Sequence, residues 1–182
     1  MSIHAYVFMT NHMHLLATGS SVDSISTAIQ ALGRRYVRYF NFIHDRSGTL
    51  WQGRFRSSVV DTDRYFLVCQ RYIELNPVRA GACSHPGEFP WSSYRHYARG
   101  VSDDLVTPHS IHATYDASRY RQIFPSPPND DEIQVIRDSI NSGLPLGDDA
   151  FRERIGAQTG QRTERARQGR PRLIPENQPE LV

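Results

Sequence analysis

Two histidines separated by one apolar residue, His12 and His14, are the first side chains in this sequence whose type and spacing could do chemistry. On a strand, alternate residues share a face, so two imidazoles about 6.6 Å apart along the backbone can converge on one cation while Met13 points to the other side. Surface or structural histidines would satisfy the same spacing. Further along, Tyr72 and Asn76 stand four apart in a segment of helical periodicity. That spacing stacks a phenol and an amide oxygen on one helical face, where the amide could ligate a hard cation. The bland alternative makes Tyr72 a core residue of an amphipathic helix and Asn76 its C-terminal cap. A third group, Arg34, Arg35 and Arg38 with Arg54 and Arg56 after it, lies among Tyr36, Tyr39, Phe40, Phe42, Trp51 and Phe55. Cations interleaved with aromatic rings suit phosphates and unpaired bases, although a solvated helix face and ordinary core aromatics would read the same way.

The elements that must position these groups follow from pattern. Residues 3–9 and 12–17 read as a hairpin of β-forming residues turning at Thr10 and Asn11. Asp23 can cap a helix whose apolar residues Ile25, Ala28, Ile29, Leu32, Tyr36 and Phe40 recur every three or four positions. Residues 51–56 read as a loop entering a strand at Ser57–Val60. Asp61 or Thr62 then caps a helix from about Asp63 to Asn76, ended by Pro77. Residues 85–97, with Pro86, Gly87, Pro90 and the Trp91–Tyr94 cluster, read as a loop with aromatic anchors. Pro125–Asn129 is a break, followed by short helices at 130–142 and 148–159 around a Gly-Leu-Pro-Leu-Gly turn.

Length and composition bound the answer. A chain of 182 residues with 38% apolar and 22% charged residues suits one domain with a core plus an appendage. No apolar run approaches a membrane span, and no secretory signal opens the chain, so the cytoplasm is the expected compartment. Cys69 and Cys83 are too few for a disulfide framework and are expected to be packing thiols. The net charge of +2 hides an asymmetry, with eleven arginines against six acids in residues 1–100 and ten against thirteen thereafter. Every basic residue is Arg and none is Lys, which a GC-rich genome or a need for forked phosphate contacts would both produce.

Four motifs in order carry a resemblance: Ala5–Leu16 (AYVFMTNHMHLL), Leu50–Phe55 (LWQGRF), Arg71–Gly81 (RYIELNPVRAG) and Pro90–Tyr94 (PWSSY). Together they resemble the IS200-like tyrosine transposases, most nearly the branch associated with repetitive extragenic palindromes. Thr107-Pro108-His109 and the 143–147 turn resemble that family's longer members more weakly. The resemblance implies an α+β fold, an antiparallel sheet of ferredoxin-like type with helices on one face. Relatives have a strand and helix upstream of the hairpin, so the sheet is expected to be incomplete at its start. It further implies that His12 and His14 bind a divalent metal, Mg²⁺ or Mn²⁺, with Asn76 completing the site, and that Tyr72 attacks DNA. Cleavage and rejoining of single-stranded or hairpin DNA through a 5′-phosphotyrosine link is the implied activity, in a monomer or homodimer. Arg34, Arg35, Arg38, Arg54 and Arg56 are expected to hold the backbone.

The corresponding domain reading is a catalytic unit at 1–100, a linker at 101–129, a helical region at 130–159 and a basic, disordered tail at 160–182. That tail contains Gln168–Arg172, which partly resembles an AT-hook and suits a competing reading, a DNA-binding protein without cleavage. A His-metal phosphoesterase is disfavoured because the extra Asp and His clusters of two-metal sites are missing.

Overall fold

The computed structural model describes residues 1–123 and 129–164, apart from the side chain at position 63. The architecture is α+β, with one antiparallel hairpin and, among the described residues, seven α-helices. Strands β1 (Ser2–Phe8) and β2 (Met13–Thr18) pair from Ser2↔Thr18 to Phe8↔Met13. The turn closes where the Met9 amide donates to the His12 carbonyl at 2.9 Å, placing Thr10 and Asn11 at its tip. A bulge falls at His4, whose two ring nitrogens reach the Thr107 carbonyl at 2.7 Å and the Thr18 hydroxyl at 2.8 Å. No described strand runs along the outer edge of β1; loop backbone covers it, with bonds from Phe8 N–H to Trp91, Ser93 N–H to Tyr6 and Thr107 N–H to Ile3.

Helix α1 (Ser24–Ile43) carries the expected apolar stripe yet buries none of its residues. Asp23 precedes it without the expected side-chain cap; instead Ser24 Oγ donates to the Ser21 carbonyl at 2.8 Å and tightens the entry. The expected strand at Ser57–Val60 does not form. Only one bridge, Val60↔Leu146, is made there, because the 146 segment is a short connection between helices and offers no second strand. Its backbone nevertheless ties the two regions, through Leu146 N–H to Val59 and Asp61 N–H to Leu146, each 2.8 Å.

Helix α2 (Thr62–Glu74) repeats buried residues at Phe66, Cys69, Gln70 and Ile73, the amphipathic pattern that packs a helix on a sheet. Pro77 does not end the helical path. It occupies the first turn of α3 (Asn76–Arg79), where its missing N–H forfeits little. Residues 85–97 are likewise more regular than a loop, holding a 3₁₀ turn at Pro86–Glu88 and the start of α4 (Tyr94–Arg99). Beyond them come a 3₁₀ segment at Ser110–Thr114, then α5 (Ala117–Gln122), α6 (Asp130–Ser142) and α7 (Asp149–Thr159). Asn129 and Asp148 cap α6 and α7 by accepting from Glu132 N–H at 2.7 Å and Phe151 N–H at 2.8 Å. Most of the Pro125–Asn129 break, and the AT-hook-like segment with the rest of the tail from residue 165, lie outside the described residues.

The main core joins Ala5, Val7 and Leu16 of the hairpin to Phe66, Cys69, Tyr72 and Ile73 of α2 and to Ile133, Ile136 and Leu146. Burial pushes the Cys69 thiol up to about 12, as expected of a packing residue. A second cluster gathers Leu75, Tyr94, Ala98 and Tyr120.

Candidate functional site

The hairpin presents His12 and His14 side by side, ring centroids 5.0 Å apart and nearly perpendicular. His12 sits in the turn just before β2, and its Nδ1 lies 2.7 Å from Asn11 Oδ1, which orients the ring and leaves Nε2 uncommitted. His14 is enclosed. Burial, then its neighbours His12, Arg79 and Arg137, bring it down to about 4, so the ring is neutral at ordinary pH.

Helix α2 lies across the hairpin and brings Tyr72 to this pair. The His14 and Tyr72 rings meet edge to face with centroids 5.5 Å apart. Tyr72 is only 5% exposed, packed in the main core with the Arg79 guanidinium over its ring at 4.2 Å. Arg79 Nη2 also donates to the Tyr72 carbonyl at 3.2 Å. Asn76 is half-buried at the start of α3, and its amide makes no hydrogen bond among the described residues. No group of three or more His, Cys, Asp or Glu side chains arranged to hold a metal occurs among the described residues. The donor set to consider is therefore two imidazoles and an amide oxygen. The neutral His14 imidazole, the uncommitted Nε2 of His12 and the Asn76 amide oxygen are donor types that suit a divalent ion.

The opposite face of α2 is fixed by a buried polar network. Glu74 is fully buried, and its carboxyl oxygens take bonds from Ser93 Oγ at 2.6 Å, Tyr120 Oη at 2.6 Å and Gln70 Nε2 at 3.3 Å. Gln70 Nε2 reaches Tyr120 Oη at 2.6 Å, and Gln70 Oε1 lies 2.8 Å from His112 Nε2. His112 Nδ1 accepts the His109 N–H at 3.0 Å, so Nε2 carries the proton toward Gln70. Burial raises Glu74 to about 7, its three donors only partly offsetting the desolvation, and burial lowers His112 to about 4.

The arginines divide. Arg34, Arg35 and Arg38 are exposed on α1, and Arg54 is exposed in the following loop. Arg56 is held by a hydrogen bond to Asn141 of α6. Trp51 folds back on α1, its indole N–H directed at the Gly33 carbonyl at 3.5 Å and its ring 5.9 Å from Tyr36. A Cβ at Gly33 would stand 3.2 Å from that indole nitrogen, so glycine makes room for the ring. Tyr36, Tyr39, Phe42 and Trp51 remain 45%, 63%, 85% and 40% exposed, an aromatic and basic surface beside the hairpin helix.

Residues 1–76 match the family model described as Transposase IS200 like. The likeness covers about two fifths of the chain. No curated protein and no solved structure matches the chain. The IS200-like segment spans both strands, α1 and α2 and stops at Asn76, so it contains His12, His14, Tyr72 and Asn76. No described helix is long and apolar enough to cross a membrane.

Arg79, Arg137 and Glu74 were not singled out by motif. Arg79 had a signal, since it follows Tyr72 by seven positions, two helical turns along the same face. Arg137 had none, because its approach to His14 depends on how α6 packs. A hollow of about 580 Å³ bordered by α6 and α7, lined by Asp138, Ser139, Leu146, Asp149 and Arg152 among others, shares no lining residue with the His14–Tyr72 pair.

Proposed function

We propose that this protein is a transposase that cleaves and rejoins single-stranded or hairpin DNA with Tyr72 as nucleophile, as in the palindrome-associated branch that its motifs resemble. The observation that carries the reading is the 5.5 Å edge-to-face contact between Tyr72 and His14, which unites two motifs distant in sequence. The Tyr72 oxygen attacks the scissile phosphorus and loses its proton. The bond from phosphorus to the 3′ oxygen breaks, and that oxygen leaves as a 3′-hydroxyl after taking up a proton. The 5′-phosphotyrosine ester retains a phosphodiester, so the reverse attack by a 3′-hydroxyl reseals a strand without external energy. His12, His14 and Asn76 would hold a divalent metal, Mg²⁺ or Mn²⁺, which supplies Lewis-acid polarisation of the phosphate when bound.

The exposed Arg34, Arg35, Arg38 and Arg54 neutralise backbone phosphates, with Arg56 at their edge. Trp51 and Tyr36 offer faces to unpaired bases. Residues 1–100 supply the chemistry, and the 130–159 helices, reached through 101–129, support it from behind α2. One chain, or two identical chains, would suffice.

The test is Tyr72→Phe, which removes one oxygen and keeps the ring. The parent, given a cleavable hairpin oligonucleotide and Mn²⁺, should form a covalent protein–DNA adduct. The variant should fold and bind alike and form none, while Tyr65→Phe retains the adduct. A parent that binds the hairpin and never forms the adduct would favour the binding-only reading.

A further inference from the structure

Among the described residues, neither Arg79 nor Arg137 faces an acidic partner. Arg79 comes from α3 and Arg137 from α6, whose Ile133 and Ile136 share the core with Tyr72. Burial most disfavours the charge on Arg79, Arg137 adds to that effect, and both arginines act on His14 in the same sense. The two ion pairs among the described residues are Arg64–Asp148 and Arg152–Asp149, and neither arginine of this pair takes part. Arg137 is exposed and makes no hydrogen bond there. Arg79 is partly buried, and its Nε and Nη1 are screened from solvent without an acceptor. Two N–H groups in that state forfeit the hydration they had in the unfolded chain. His14, neutral beside them, brings no compensating charge. What the pair lacks is an anionic oxygen donor-acceptor partner of its own size, and guanidinium pairs suit phosphate by shape and charge.

The cover on Tyr72 adds a second consequence. The guanidinium stacks at 4.2 Å over a ring that the core encloses on its other sides and that is 5% exposed. Its Nε and Nη1 have no solvent access where they lie, so an external oxygen reaches them only if the guanidinium moves.

We propose that Arg79 and Arg137 form a phosphodiester-binding site, and that Arg79 uncovers Tyr72 as it moves onto the anion. The choice of a phosphodiester over other anions rests on the transposase reading above. Arg79 then both captures the substrate phosphate and keeps the phenol covered in its absence.

The experiment uses the full chain and dimethyl phosphate, a phosphodiester without base or sugar, with neutral trimethyl phosphate as the control. Dimethyl phosphate should shift the Arg79 Nε–H resonance saturably, and trimethyl phosphate should not. Arg137→Gln should weaken that titration about fivefold or more. Nitration of Tyr72 by tetranitromethane, mapped by peptide mass spectrometry, should rise with dimethyl phosphate in the parent. It should be high from the outset in Arg79→Gln and remain phosphate-dependent in Arg79→Lys. No saturable Arg79 shift, or one unaffected by Arg137→Gln, would overturn the site. Binding with Tyr72 nitration unchanged would overturn the uncovering step. Neither readout needs DNA cleavage, so a missing Tyr72–DNA adduct would sink the catalytic reading and leave this site standing. An adduct formed without any phosphodiester shift at Arg79 would do the reverse.

Discussion

Replacing Glu74 by Gln should flatten the dependence of stability on pH between about 5 and 8. The buried carboxyl titrates near 7 when folded, against an ordinary value of 4.5 when the chain is unfolded. Between those values the native state holds one proton more, so stability is full below the lower value and falls as pH rises through the upper one. The separation corresponds to about 3 kcal/mol at full extent, at up to about 1.4 kcal/mol per pH unit.

Geometry explains why Gln is the right substitute. A protonated Glu74 can donate to Ser93 Oγ, whose own hydrogen then turns to the Tyr6 carbonyl 3.4 Å away. The other carboxyl oxygen keeps the Tyr120 bond. A glutamine amide reproduces that pattern and forfeits only the long contact from Gln70, at a cost of about 1 kcal/mol. Urea denaturation of parent and variant at pH 5, 6, 7 and 8 measures the difference directly. His112 contributes the opposite trend, losing about 2 kcal/mol of stability as pH falls from 6.5 toward 4, and it cancels in the comparison. The parent should lead at pH 5 and lose that lead, or fall behind, by pH 8. A difference that stays constant across the series would refute the argument, since it would mean that Glu74 carries the same charge in both states throughout.

Converting Arg34, Arg35 and Arg38 to Ala should weaken single-stranded DNA binding for all sequences alike and reduce the salt slope by about 2, measured by titration at several ionic strengths. An unchanged slope would make the cluster an ordinary solvated face. Gly33→Ala gains helix propensity of up to about 1 kcal/mol yet crowds the Trp51 indole at 3.2 Å. In a Trp91→Phe background it should alter Trp51 fluorescence and lower single-strand affinity while leaving the melting of the core intact; unchanged emission would show that the ring does not rest on Gly33.

What could be read from the sequence was what is local. The hairpin, α2, α6 and α7 followed from alternation, from three- and four-residue periodicity and from Gly and Pro breaks, because those signals lie within a few residues; the caps at Asn129 and Asp148 emerged only with the structure. Ser57–Val60 has strand-forming residues and still forms no strand, since a strand needs a neighbour and Leu146 supplies a single bridge. Pro77 punctuated the sequence without stopping the helical path, as a proline in a first turn has no bond to break, and reading it as an end hid Arg79. For the candidate site, spacing could pair His12 with His14 and Tyr72 with Asn76. It could not bring the two pairs together, because all of α1 lies between them. The Glu74 network was equally hidden, its partners Tyr120 and Ser93 lying 46 and 19 positions away.

Helix α1 gives this protein an affinity that should depend on temperature more steeply than its contacts suggest. Twenty residues long, about 30 Å, it leaves even its apolar stripe no more than half-buried, so its helicity leans on local propensity and on the clasp of Trp51. A helix of that length with so lightly packed a face is only marginally favoured in water, and warming should erode it below the melting of the core. Any ligand read by α1 binds only the fraction of molecules in which the helix is formed, and its apparent dissociation constant rises as that fraction shrinks. Fraying of one lightly packed helix thus becomes a thermostat on recognition, set independently of the stability of the rest of the chain.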